Sequence, residues 1–238
     1  MATFRLSSGE IFDNVLDTLG ARGCGDSKKT AIKDGIQFSL SALFTYRPWT
    51  WRRRCETVSF TSSSFHFEMP EDYESLANSE IMRTGSDGTV RTLTPRTDRD
   101  FWRQRQAGYT GQPQWYRIVP SSHTHNTNSS WWYVMEVAPY PDGDYDWPGV
   151  EYYCCAPELA FGASTGTVPN MPTEFFDTWQ TGAEWRAARA LGRHTLARSL
   201  KKDFDEALAD AAKRHDITHQ DPGPQGLQDP YGDVAAWA

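Results

Sequence analysis

The chain has 238 residues, enough for one large domain or two small ones with a real core in either case. Its formal charge is −7, from 24 Lys plus Arg against 31 Asp plus Glu. That balance argues against a globally DNA-binding protein, because displacing phosphate counterions needs clustered cations.

No run of about 18 apolar residues is present, so a membrane span is not expected. The opening MATFRLSSGEIFDNV has no basic region followed by an apolar core, so it does not read as a secretory signal. Mean hydropathy is −0.65, yet the chain carries 10 Trp, 10 Tyr and 12 Phe. Aromatic residues bury large areas at little rotamer cost, which suits both sheets and contact surfaces. Cys24, Cys55, Cys154 and Cys155 read as free thiols of a reducing compartment, since neighbours such as the last two rarely bond each other.

In chain order, Ile11, Val15, Leu16 and Leu19 recur at helical spacing behind a Ser7 or Ser8 cap, and Gly20 to Gly25 stops the helix. Asp26 or Ser27 caps a second helix with apolar positions Ile32, Ile36, Phe38, Leu40, Leu43, Phe44 and Tyr46. Pro48 ends it. WTWRRRCETVSFTSS alternates as a strand from Trp49 onward. SFHFEMPEDYESL predicts a short strand, a Met-Pro break and a single helical turn. Ile81 to Met82, Thr89 to Leu93 and the FWRQR segment are short and weakly patterned, with Ser86, Asp87 and Gly88 as a hairpin turn.

A turn at Gly111 to Pro113 feeds a strand from Trp115 to Val119, and a polar loop follows from Ser121 to Ser130. Strands are predicted at Trp131 to Val137 and at Val150 to Cys155, joined by the PYPDGDYDWPG turn region. After the Gly, Thr and Ser-rich stretch Pro157 to Pro172, helical spacing returns with Phe175, Phe176, Trp179, Ala183, Trp185, Ala188 and Leu191. Gly192 breaks it, and Leu196, Leu200, Phe204, Leu208 and Ala211 form a second amphipathic stripe. From Ile217 the Pro and Gly density predicts an extended tail ending in a small apolar hook, Val234 to Trp237.

The chemistry-bearing motifs are weak one by one. His123 and His125 share a face only on a strand and have no third ligand nearby, so a solvated loop is the better reading. Asp142, Asp144 and Asp146 start like a calcium loop. Trp147 and Tyr153 then stand where Gly and a bidentate Glu are needed, so a hairpin turn is preferred. Asp98 with Asp100, and Glu71 with Asp72, have no nucleophile or acid placed opposite them. No phosphate loop, dinucleotide fingerprint, G-x-S-x-G or H-E-x-x-H occurs. Arg52, Arg53 and Arg54 beside Trp49 and Trp51 fit nucleic acid, or two inward Trp with the Arg covering a subunit contact, pairing with acids or lining a passage for DNA. Nothing in these motifs points to catalysis, a cofactor or a metal, although a hydrolase with a non-motif site would need only clustered carboxylates or His in one pocket, which the spacing does not suggest.

The order of elements resembles the head–tail adaptor proteins of tailed phages, the group that includes tail tubular protein A of short-tailed phages. Two N-terminal helices lead into WTWRRR at Trp49 to Arg54. FEMPEDY at Phe67 to Tyr73 follows, then the Gly-x-Pro turn of GQPQWYRI. VMEVAPYPDGDYDW and the tyrosine-rich VEYYCCAPEL come next. MPTEFFDTWQTGAEWRAARALG and LARSLKKDFDEALADAAKR close the series. The likeness runs from about Gly9 to Arg214. Met69 departs from the aliphatic residue usual before the proline, and nothing after Ile217 matches.

The resemblance implies an α+β fold: a helical bundle core of two N-terminal and two C-terminal helices with an inserted antiparallel β domain. The expected division is 1–48 plus 170–216 for the helical core, 49–169 for the β domain and 217–238 for the tail. It also implies a virion structural protein without catalysis, at the head–tail interface and synthesised in the host cytoplasm. Its partners would be a portal protein, a downstream tail or nozzle protein, and itself as a dodecameric ring, with DNA passing unrecognised through the channel and no membrane. On that reading Leu227, Tyr231, Val234 and Trp237 dock the tail on the portal or a neighbour. Trp49, Trp51, Arg52, Arg53 and Arg54 are subunit-contact or channel residues. The rival expectation is a β-rich carbohydrate- or receptor-binding module of a phage tail with exposed Trp platforms.

Overall fold

The computed structural model of the protein describes residues 5–62, 64–84, 89–106, 108–121, 132–161 and 166–218. These residues form a mixed α+β protein with five helices and two sheets. The order is α1 (Ser8–Thr18), α2 (Asp26–Thr45), a 3-10 turn at Thr50–Arg52, β1 (Arg53–Phe60), β2 (His66–Glu68), β3 (Tyr73–Leu76), β4 (Ile81–Thr84) and β5 (Val90–Pro95). Then come α3 (Asp98–Gln106), β6 (Trp115–Ser121), β7 (Trp132–Ala138), β8 (Tyr145–Cys154), a 3-10 turn at Thr173–Phe175, α4 (Phe176–Ala190) and α5 (His194–Thr218). The chain divides into two compact units: Met1–Trp51 with Ala156–Ala238, and Arg52–Cys155. The 86–88 turn, the 122–130 loop with its two histidines and the tail from 219 lie outside the described residues.

In the helical unit, Ser7 and Glu10 form a capping box that satisfies the first orphan donors of α1. The Ser7 hydrogen bonds hold the Glu10 carboxyl below its usual range. Ile11, Val15 and Leu16 are buried, and Gly20 in the left-handed region (φ 54°) follows the helix end. α2 buries Ile32, Ile36, Leu40 and Leu43, while Phe38, expected in the core, is 61% exposed. α2 packs on α4, and α4 on α5. A Cβ at Gly182 would stand 2.7 Å from the Phe204 ring and 3.0 Å from Ser39 Cβ, so the close approach of α2, α4 and α5 requires glycine there. The Trp179 indole donates to the Ile36 carbonyl at 3.2 Å. On α5, Phe204, Leu208 and Ala211 are buried and Leu196 is exposed.

The second unit holds a three-stranded sheet, β1-β8-β3, and a five-stranded sheet, β2-β7-β6-β5-β4. It departs from the sequence expectations in six places. The strand expected from Trp49 begins at Arg53, after the 3-10 turn. The helical turn expected after Pro70 is strand β3, because Tyr73 buries itself between the rings of Tyr133 and Tyr152, at 5.4 and 5.9 Å, while pairing with Cys154. FWRQR is the helix α3, which among its described side chains buries only Phe101 and Arg105, one turn apart. β5 and β6 pair in parallel through Thr94–Trp115 and Pro95–Tyr116, since α3 lies between them as the crossover that a parallel pair needs.

The hairpin expected at Asp142–Asp146 is a crossing from one sheet to the other: β7 pairs with β2 and β6, and β8 with β1 and β3. β8 also starts earlier than expected. Pro148 and Gly149 (φ 77°) sit in the strand at a bulge, where Glu56 faces Val150 and Val58 faces Trp147.

Replacing Gly182 by Val should lower unfolding free energy by about 1–3 kcal/mol through overpacking against Phe204 and Ser39. Urea unfolding checks this; an unchanged midpoint would contradict the close three-helix packing.

Candidate functional site

The Trp-Arg segment divides at the boundary of the two units. In the helical unit, Trp49 is fully buried and donates its indole N–H to the Leu43 carbonyl at 2.7 Å. Its ring meets Phe175 edge-on at 4.8 Å and His215 at 5.3 Å. Trp51 is half-buried and packs on Phe44 at 4.9 Å and Phe175 at 5.4 Å. Thr50 Oγ1 and His215 Nε2 are hydrogen-bonded at 2.9 Å. These contacts join the end of α2, the turn before α4 and the end of α5.

In the β unit, Arg52 is 2% exposed. Its Nε donates to the Cys154 carbonyl at 2.8 Å and its Nη2 to Glu74. Arg53 pairs with Glu151 at 2.7 Å, diagonally across the β1–β8 ladder, where Arg53 itself faces Tyr153 and Glu151 faces Cys55. The Arg54 guanidinium donates to the Arg53 carbonyl at 3.2 Å. Trp49 and Arg52 therefore have partners inside the fold, whereas Arg53 and Arg54 keep partial exposure. An intramolecular buried guanidinium of this kind anchors geometry, since its loss leaves Glu74 and a backbone carbonyl without a donor.

A second arginine cluster gave no strong signal in the sequence. Arg105, 5% exposed, lies over the Phe65 ring at 3.8 Å and near Tyr140 at 5.0 Å. It faces Glu136 Oε1 at 3.5 Å. Arg117 makes a two-pronged contact with Glu136 Oε2, at 2.7 Å from Nε and 2.6 Å from Nη2, and reaches Asp98 at 3.0 Å. Burial lowers the Arg105 pKa, with Glu136 opposing. The readable signal was the i, i+4 pair Phe101 and Arg105 on an otherwise polar helix.

The carboxylate pairs are engaged structurally. Asp98 holds Arg117, Asp100 accepts from Thr97, and Asp72 accepts from the Tyr152 hydroxyl at 2.9 Å. Asp146 accepts from Ser59 at 2.7 Å and Asp142 from Tyr145. Among the described residues, no three His, Cys, Asp or Glu side chains gather to hold a metal ion. No helix there is long and apolar enough to cross a membrane. The cysteines described are free thiols, and burial raises the Cys154 and Cys155 thiols above their usual range.

Residues 7–226 match the family described as SU10 adaptor protein. The chain belongs to the SU10 adaptor protein family. It is a phage structural protein of the head–tail adaptor type, with a structural and non-enzymatic role implied by membership. No curated protein matches the chain. The tail residues Leu227, Tyr231, Val234 and Trp237 lie outside the described residues.

Neutralising Glu136 as Glu136→Gln takes the carboxylate from buried Arg105 and leaves Arg117 with only the exposed Asp98, and should cost about 3 kcal/mol in urea unfolding. Arg105→Met should cost clearly less, because a packed apolar side chain replaces a desolvated charge. Equal losses would contradict this account of the cluster.

Burial pushes the Tyr73 and Tyr116 hydroxyls from the ordinary 10.0 up to about 12. The folded state holds those protons more tightly, so the contribution is fully present below pH 10 and is lost as pH rises towards 12. Stability against pH with phenolate absorbance checks it; a flat profile across that window would contradict it.

Proposed function

We propose that the protein is a connector that forms a ring between the portal and the tail, around the DNA exit channel. The observation that carries the reading is the family match over 7–226, which takes in both compact units. In finer detail the protein acts in the manner of tail tubular protein A and assembles as a dodecamer on the portal, with a downstream tail or nozzle protein below. A ring made by repeating one contact needs two different faces on each subunit, and a helical unit joined to a β unit supplies them.

Charge supports passage of DNA without retention. The chain is at −7, and Arg52, Arg53 and Arg117 are matched by Glu74, Glu151, Glu136 and Asp98. A passage of mixed or negative charge lets a phosphate backbone slide, whereas a basic groove would bind it. Arg53 and Arg54 are the members of the Trp-Arg segment proposed to contact a neighbour or line the channel, with Trp49, Trp51 and Arg52 holding them in place. Leu227, Tyr231, Val234 and Trp237 are proposed to dock the tail on the portal or a neighbouring subunit.

Capture of the full chain by immobilised portal protein tests the reading. Removing residues 219–238 should weaken capture about tenfold or more, the loss expected for an interface deprived of its aromatic anchors. Unchanged capture would sink the tail's role, and absence of capture of the full chain would sink the portal reading.

A further inference from the structure

Phe38 stands on α2 at a position that spacing assigns to the core, yet it is 61% exposed. It borders an open groove of about 490 Å³ between α2 and α4. Ala31 and Gly35 from α2 and Arg186, Arg189 and Ala190 from α4 line the rest, with Asp34 the one carboxylate among the lining residues. A Cβ at Gly35 would stand 2.8 Å from Arg186 Cβ, so the small residue lets the two helices close beneath the guanidinium's stem.

Arg186 is placed 5.8 Å from the Phe38 ring centroid and 4.2 Å from that of Trp185. Its Nε is buried without a hydrogen-bond partner among the described residues. Neither Arg186 nor Arg189 is ion-paired among those residues. Burial, and then the positive charge of Arg189, lower the Arg186 pKa. Two like charges thus share an apolar groove with an exposed aromatic ring and no matched carboxylate. A partner that brings an aromatic side chain and carboxylates completes such a surface.

The chain carries a segment of that chemistry. Residues 219–238 hold Tyr231, Val234 and Trp237 beside Asp229 and Asp233, with no Lys or Arg among them. The stretch from 219 to 228 spans up to about 35 Å if extended, a reach sufficient to cross to a neighbouring subunit.

We propose that the groove between α2 and α4 of one copy receives the Asp229–Trp237 segment of a second copy. An aromatic ring of that segment packs on Phe38, and Asp229 and Asp233 pair with Arg186 and Arg189. The inference rests on the ring reading above and names the surface that takes the tail. Groove and tail are different elements of one chain, so the contact is head-to-tail and repeats from subunit to subunit.

The test uses the full chain with a photo-crosslinking phenylalanine analogue in place of Trp237. Isotopically heavy and ordinary copies are mixed, assembled on portal protein and irradiated. The expected result is heavy-to-light crosslinks to peptides containing Phe38 and Arg186 to Ala190. Phe38→Ala or Arg189→Glu should lower their yield about tenfold. Both positions are exposed, so the fold tolerates these changes. Pairing Arg189→Glu with Asp233→Arg should restore the yield. Crosslinks confined to a single copy would overturn the second-copy contact. Crosslinks to the portal alone would overturn the groove and leave the tail-docking reading standing. No crosslink to either would overturn both.

Discussion

The helical unit depends on the burial of one indole, that of Trp49. Among its neighbours, Leu43 precedes the long excursion Arg52–Cys155, and Phe175 and His215 follow it. The apolar stripes of α1 and α2 are too small to form a core by themselves. They become one only when α4 and α5 return and close over Trp49 and Trp179, both fully buried. Closing so long a loop costs little more entropy than closing a shorter one, because the cost rises only with the logarithm of length. The insertion is therefore thermodynamically tolerable provided that the returning helices meet a well-shaped partner. Gly182, with no room for a Cβ between Phe204 and Ser39, and the Trp179 hydrogen bond to Ile36 provide that shape.

The β unit solves a different problem. Its strands are short, and it holds its geometry with arginine forks as much as with apolar packing. Every Lys of the chain lies outside Arg52–Cys155, so all its cations are planar guanidinium groups. Such groups meet carboxylates and aromatic faces with fixed geometry, where an ammonium acts as a mobile point charge. Arg52 ties the start of β1 to the end of β8 and to Glu74 on β3. Arg105 and Arg117 bracket Glu136 beneath Phe101 and Trp102.

Much of this was readable from the residues. The helical stripes at Ile11 to Leu19 and at Leu200 to Ala211, the stop at Gly192 and the strand at Trp115 all follow from spacing and turn chemistry. The failures have physical causes. Pro148 and Gly149 signal a turn by composition, but a bulge absorbs them inside β8, so a local rule missed a non-local pairing. Tyr73 follows acidic residues that favour a turn, yet its ring finds Tyr133 and Tyr152 across the sheets. α3 hid because Arg105 occupies an inward position that spacing rules reserve for apolar residues. Phe38 misled in the opposite sense, being apolar and outward. Of the site, the Trp-Arg segment was visible as a motif, while its division into a buried Trp49 and Arg52 and more open Arg53 and Arg54 required the packed structure.

The family fixes the protein's class as a phage adaptor. The most direct measurement is electron microscopy of the phage's portal ring with and without this protein. The account predicts an added ring of density stacked on the portal, with the helical and β units resolved in every subunit. A portal ring left bare, beside adaptor that stays dispersed in solution, would contradict it.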